Sequence, residues 1–259
     1  MTSASRARPG QTSEVSKTSE VWKSRWRHLR GHTQRVWYRT CKTIVRAMMA
    51  ILCRVRYTGC VNIPKSGGVL VVSNHQSHLD PALVGSGCSR QMTYMARMTL
   101  FRFSPFGWFI HSLGAIPIDK EKSALAGIRA TLQSLQQGDM VLVFPEGTRS
   151  RDGNLGVFKP GLALVARRAK VPILPAAVEG AYRAWPRAAS FPTPGIVHVH
   201  YGPPLMPELI QSCSEQELAA LVEQRVRECL EVLRKRPEFA RPTTCSDRPR
   251  SLGRSHGSG

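Results

Sequence analysis

Two polar clusters, each placed directly after an apolar run, carry the side chains best suited to chemistry. The first is Ser73-Asn-His-Gln-Ser-His-Leu-Asp80, where His75 and Asp80 are separated by four residues. An alcohol attacking a thioester is a poor nucleophile until a base removes its proton. A neutral imidazole, with an ordinary pKa of about 6.5, suits that task at neutral pH. A carboxylate on the second ring nitrogen fixes the tautomer and stabilises the imidazolium as it forms. His75 and Asp80 have the types for these two roles. The same residues also fit a helix N-cap at Asp80, a first-turn proline at Pro81 and an ordinary loop histidine. The spacing alone leaves both readings open. His78 is closer to Asp80 in sequence, yet a separation of two gives no evident relay geometry.

The second cluster is Phe144-Pro-Glu-Gly-Thr-Arg-Ser150. Pro145 and Gly147 suit positions i+1 and i+3 of a type I turn, which accounts for neither Glu146 nor Arg149. A glycine lets a ligand approach the backbone closely, and an arginine fork can clasp a phosphate through two hydrogen bonds. The functional reading of this turn is therefore favoured, with Glu146, Gly147, Thr148 and Arg149 as candidate substrate-binding residues and backbone donors nearby to stabilise an oxyanion. Lys159 is either a further anion contact or a solvated surface lysine. His198 and His200, two apart on an expected strand, share a side as in some metal sites. No third ligand has an interpretable spacing, so they read as structural and no metal is expected.

These clusters need elements to position them. Val69–Val72 and Met140–Phe144 read as buried strands, with two more at Val171–Val178 and Ile196–Tyr201. Helical stretches begin at Pro81, run from Ser123 to Gln137 and from Gly161 to Ala169, and finish with a long helix opened by a Ser214/Glu217 capping box. Strands alternating with helices predict an α/β fold, a single domain with a mixed, largely parallel sheet flanked by helices. If the chain turns at each strand end, His75 and Asp80 meet at the carboxyl edge of the sheet, where open α/β folds bind ligands.

The chain has 259 residues, 42% of them apolar, and a formal charge of +20. Residues 1–60 carry 13 Lys/Arg against 2 Asp/Glu, residues 61–233 carry 17 against 13, and residues 234–259 carry 7 against 2. The excess thus lies on the two ends. Trp37, Cys41, Ile44, Val45, Met48, Met49, Leu52 and Val55 recur at helical spacing, with Arg35, Arg39, Lys42 and Arg46 opposite. The organisation expected is a disordered tail over 1–20, a basic amphipathic membrane-binding helical segment over 21–56, a catalytic domain over 57–236 and a disordered basic tail over 237–259. The aromatic stretch Phe101–Ile110 is either core or a lipid-facing surface, with a lean to lipid. Seven cysteines without a C-x-x-C pair fit a reducing compartment. No apolar window is long enough for a signal peptide or a membrane span. Peripheral attachment at the cytoplasmic face of a membrane is expected.

Four blocks in order, Asn74-His-Gln-Ser-His-Leu-Asp80, Gly114–Lys120, Phe144–Ser150 and Val171-Pro-Ile-Leu-Pro175, resemble those of the 1-acylglycerol-3-phosphate acyltransferase family over about residues 55–205. The resemblance implies a catalytic pair at His75 and Asp80, and acceptor-phosphate contacts at Glu146, Gly147 and Arg149. Pro172 and Pro175 fall where the family shapes its acyl or acceptor pocket. The second block usually ends in an arginine, and this chain has Lys120, a mobile point charge in place of a planar fork.

The reaction expected is transfer of a fatty acyl group from acyl-CoA or acyl carrier protein to the hydroxyl of lysophosphatidic acid, giving phosphatidic acid. The partners are then the lysophospholipid acceptor, the acyl thioester donor and an anionic membrane surface. No cofactor is implied, since the thioester is a cosubstrate, and without a G-x-S-x-G elbow no covalent acyl-enzyme is expected. An acceptor among other lysolipids is the alternative within the family. A pI near 10.6 would suggest nucleic-acid binding, but the basic residues lie on an amphipathic segment and tails, so no nucleic acid is expected. A membrane-binding module without activity is disfavoured by the intact His75 and Asp80.

Overall fold

A computed structural model describes residues 32–97, 101, 107, 110, 114–118, 124–159 and 161–237. The elements are α1 (His32–Cys53), β1 (Arg56–Thr58), β2 (Val69–Ser73), α2 (Asp80–Gly87), β3 (Met92–Arg97), β4 (Ala115–Ile118), α3 (Ala124–Gln136), β5 (Met140–Val143), α4 (Gly161–Ala169), β6 (Ile173–Glu179), α5 (Ala181–Ala184), β7 (His198–Tyr201), α6 (Pro207–Ser212) and α7 (Glu215–Arg234). One seven-stranded sheet has the order β1-β7-β6-β2-β5-β3-β4. All neighbours are parallel except β6 and β7. The expected mixed, largely parallel sheet is therefore present.

Strand β2 is central and buried at every position. Its alternation divides the core: Val69 and Val71 face α1 and α2 together with Met49, Cys53, Leu83 and Val84. Leu70 and Val72 face the other layer, with Leu135, Leu162, Val165, Leu218, Val222 and Val226 from α3, α4 and α7. Removing a buried side chain of this kind typically costs about 2–5 kcal/mol. The capping box at Ser214 and Glu217 opens α7 as expected. Pro175 sits inside β6, beside the point where the β7 ladder starts at Ala176↔Tyr201. At that end of the ladder the missing N–H is tolerated, and Gly202 N–H donates to the Pro175 carbonyl at 2.9 Å.

Three strands, β1, β3 and β4, lie outside those expected. Helix α1 also differs from the simple amphipathic reading. Tyr38, Cys41, Met49 and Cys53 are buried against the domain, while Trp37, Ile44, Met48 and Ile51 are exposed. The apolar residues read as one face thus form two adjoining stripes. Lys42, expected on the polar side, turns inward and donates its ammonium to the Cys88 carbonyl. Burial lowers its pKa. Strand β1 begins at Arg56, one residue before the expected start of the catalytic domain at 57. Residues 1–31 and 238–259 lie outside the described residues, among them the first part of the expected 21–56 segment, as does most of Phe101–Ile110. Among the described residues no helix is long and apolar enough to cross a membrane.

Candidate active site

Neighbouring strands bring the two polar clusters together. Strands β5 and β6 flank β2 on its two sides, so the segments leaving their carboxyl ends converge. Side-chain bonds then fix the loop after β2. Asn74 continues the ladder without being in a strand: its Nδ2 donates to Val178 O at 2.9 Å and its Oδ1 accepts Val178 N–H at 2.8 Å. Gln76 Nε2 donates to Gly153 O at 2.8 Å, and Ser77 Oγ donates to Trp185 O at 2.9 Å.

Within that frame His75 Nδ1 is 2.8 Å from Asp80 Oδ2. The same oxygen accepts the N–H of Gln76 at 2.6 Å and of Ser77 at 2.7 Å. Asp80 is fully buried, and Oδ1 has no hydrogen-bond partner among the described residues. The N-cap alternative can now be set against this geometry. Leu79, not Asp80, is the N-cap of α2 and makes no side-chain cap, while Asp80 reaches back to the loop. Two backbone N–H groups hold the carboxylate, and the carboxylate holds the imidazole. With Nδ1 engaged, Nε2 is the nitrogen left for a substrate proton, and the His75 side chain is 19% exposed. The imidazole also stacks on Phe144, with ring centroids 4.0 Å apart and an interplanar angle of 14°.

His78 stands apart from this pair. It is tilted against Trp185, and burial, followed by the charges of Arg149 and His75, lowers its pKa.

The turn after β5 forms as its residues suggest: Gly147 N–H donates to Phe144 O at 3.0 Å, and Gly147 has φ +70°, a conformation that favours glycine. Lys159 lies over it, with Nζ 2.8 Å from where a Cβ would stand. Glu146 has a different place from the expected phosphate contact. Its Oε1 accepts His75 N–H at 2.8 Å and its Oε2 accepts Gly156 N–H at 3.0 Å. With both oxygens engaged as acceptors, this side chain has no hydrogen to offer a phosphate and clamps the catalytic loop instead. Burial raises its pKa, offset in part by these bonds. Ser150 N–H donates to His75 O at 2.7 Å. Two backbone donors of the turn, those of Gly147 and Ser150, are thus already engaged within the protein.

Thr148 is exposed and Arg149 half-buried. Its charge contributes, after burial, to lowering the His78 pKa. Lys120 lies outside the described residues. His200 Nδ1 hydrogen-bonds Thr58 Oγ1 at 2.9 Å, and His198 is buried in β7. Among the described residues no group of three or more His, Cys, Asp or Glu is placed to hold a metal ion.

The Acyltransferase family model matches residues 54–179, which contain His75, Asp80, Glu146 and Arg149. The 1-acyl-sn-glycerol-3-phosphate acyltransferase of Bacillus subtilis is 30% identical over 145 residues, 55% of this chain and 71% of that protein. The chain belongs to the 1-acylglycerol-3-phosphate acyltransferase family. The 1-acyl-sn-glycerol-3-phosphate acyltransferase of Pseudomonas aeruginosa is 33% identical over 175 residues, 66% of each chain. A chloroplastic one from Arabidopsis thaliana is 32% identical over 136 residues, and the match spans only 38% of that longer protein. The crystal structure of the 1-acyl-sn-glycerophosphate (LPA) acyltransferase from Thermotoga maritima shares the fold with a TM-score of 0.71 at 28% identity, covering 82% of this chain and 87% of that one. Membership places the chain among the O-acyltransferases.

Sequence reasoning missed several residues that hold this acyltransferase site. Asn74, Gln76 and Ser77 were passed over, although a run of polar residues following a wholly apolar strand marks a loop whose side chains must find partners. In the sequence Phe144 reads as the end of a strand. Nothing in its position announced a stack on His75.

Proposed function

We propose that this acyltransferase moves a fatty acyl group from a thioester donor to the free hydroxyl of lysophosphatidic acid, giving phosphatidic acid. The observation that carries the reading is the His75 Nδ1–Asp80 Oδ2 contact of 2.8 Å, made on a carboxylate oxygen that two backbone N–H groups already fix. His75 Nε2 takes the hydroxyl proton as the oxygen attacks the thioester carbonyl carbon. The tetrahedral intermediate collapses with loss of the carbon–sulfur bond, and the imidazolium returns its proton to the thiolate. Asp80 stabilises the imidazolium between the two transfers. The buried Glu146 positions His75 through its backbone N–H. Arg149 holds the acceptor phosphate, assisted by Lys120.

The same reading puts the enzyme on the cytoplasmic face of an anionic membrane. Support comes from the exposed stripe Trp37, Ile44, Met48 and Ile51 of α1 and from the basic excess of residues 1–60. Each basic residue near such a surface contributes on the order of 1 kcal/mol.

The test is release of free thiol and formation of phosphatidic acid from acyl-CoA or acyl carrier protein with lysophosphatidic acid. A matched monoacylglycerol serves as control. Equal kcat/KM for the two acceptors would show that no phosphate is read.

A further inference from the structure

Two cavities open beside Tyr182, and their linings differ in charge. One, of about 340 Å³, mixes the carboxylates of Asp152 and Glu179 with the guanidinium groups of Arg183 and Arg234. Glu179 and Arg234 pair at 2.9 Å. Asp152 is held by Ser150 and Asn154. Its charges are therefore largely matched. The other, of about 380 Å³, is lined by Arg151, Tyr182, Pro186, Arg187 and Ala188, with no carboxylate among its described residues. It carries two positive charges in an open groove.

The groove is tied to the active site from both walls. Arg187 Nη1 lies 3.4 Å from Thr148 Oγ1, on the turn that carries Gly147 and Arg149. The Arg151 carbonyl accepts the Tyr182 hydroxyl at 2.7 Å, and the preceding Ser150 is bonded to the His75 backbone. Arg151 thus springs from anchored main chain next to the catalytic loop, Arg187 reaches the same turn through its side chain, and both residues are exposed to solvent.

A thioester acyl transfer brings anionic groups to His75 at two different ranges. In lysophosphatidic acid the hydroxyl and the phosphate sit on neighbouring carbons of one glycerol, so that phosphate must stay in the innermost layer, beside Arg149. In acyl-CoA the nucleotide phosphates stand a whole pantetheine arm from the thioester carbon. They need a second basic patch, further out and open to water. Guanidinium forks suit such phosphates because they bind two oxygens at once.

We propose that the Arg151/Arg187 groove binds the nucleotide phosphates of the acyl-CoA donor. This rests on the acyl-transfer reading above. The test is steady-state kinetics of the full chain and its Arg151→Ala/Arg187→Ala double variant, with acyl-CoA and with an acyl-pantetheine thioester of the same chain length. The KM for acyl-CoA rises roughly tenfold or more, as expected for loss of one or two charge-assisted contacts. Salt raises the wild-type KM for acyl-CoA and affects the variant less. The KM for lysophosphatidic acid and for acyl-pantetheine is the same in both proteins. Arg151→Glu/Arg187→Glu exceeds the alanine effect.

An unchanged acyl-CoA KM, an equal rise for acyl-pantetheine, or a rise confined to lysophosphatidic acid overturns the assignment. So does a rise seen only with acyl carrier protein, which would give the groove to an acidic protein surface. If the wild type transfers no acyl group from any donor, the acyl-transfer reading fails by itself. Calorimetric titration with coenzyme A then decides the groove: binding weakened roughly tenfold in the double variant supports it, and equal binding overturns it.

Discussion

The loop from Asn74 to Asp80 and the groove at Arg151 and Arg187 lie on one rim of the sheet and are built in opposite ways. In the loop, backbone N–H groups and buried side chains fix the catalytic atoms, and Asp80 Oδ2 alone receives three donors. In the groove, two exposed arginines line open space, with one long contact from Arg187 to Thr148. The difference follows from the work each can do. Moving a proton requires atoms held within a few tenths of an ångström, and that needs preorganisation. Capturing an anion requires charge, which acts over a longer range and tolerates motion.

The largest expected effect breaks the ordered side of this comparison. His75→Ala lowers kcat by roughly 10²–10⁴-fold while leaving fold and acceptor binding intact, because a base acts on the reacting proton. Asp80→Asn is also severe, through loss of tautomer control. Activity of His75→Ala within about tenfold of wild type would remove it from the mechanism.

Glu146→Gln sharpens the comparison by loosening the loop without touching its catalytic atoms. An amide offers one acceptor where the carboxylate offers two, so either His75 or Gly156 N–H loses its partner, and kcat falls roughly tenfold. A pH signature accompanies it. Burial raises the Glu146 carboxyl above its ordinary 4.5, so between those values the folded state holds a proton that the unfolded state has lost. Its contribution to stability is complete below 4.5 and is lost as pH rises through the raised value. Urea midpoints measured across that range should show this slope in the wild type and not in Glu146→Gln. Identical slopes would mean that Glu146 titrates normally.

Helix α1 offers a second contrast within one element. Ile44→Glu with Ile51→Glu should reduce flotation with anionic liposomes and leave the melting temperature within a few degrees, since both side chains are exposed. Met49→Ala, on the packed stripe, should do the reverse, destabilising by about 2–5 kcal/mol. Loss of stability in the first variant would show that the exposed stripe packs on protein. The smallest effect is at Lys120: Lys120→Arg should preserve or modestly improve the KM for lysophosphatidic acid, and Lys120→Ala should weaken it. No response to either change would remove Lys120 from the acceptor site.

The parts legible in the sequence are those with a strong local signal. The apolar run at Val69–Val72 announced the central strand, Ser214 with Glu217 the last helix, and Pro145 with Gly147 the turn. His75 and Asp80 were legible as types, but only the folded loop separates a relay from an N-cap. Strands β3 and β4 are not legible, because Met92–Arg97 lacks the alternation of a half-buried strand and Ala115–Ile118 carries Pro117. Glu146 misled because a motif names residues without saying which atoms they touch. In α1 helical spacing identifies apolar positions and is silent on what covers them, so one broad face was read where two stripes with different neighbours exist.

The stack of Phe144 on His75 makes the imidazole a door with a single leaf. One nitrogen is latched to Asp80, and the flat of the ring rests on a second ring 4.0 Å away. A half-turn would break the bond to Asp80 and would pass through an edge-on orientation that loses the stack, so traffic passes through Nε2. If His75 is the base proposed here, the proton borrowed from the incoming alcohol waits at the same threshold that the departing sulfur must cross. Entry and exit then share one opening, and the order of passage is set by which partner stands in it.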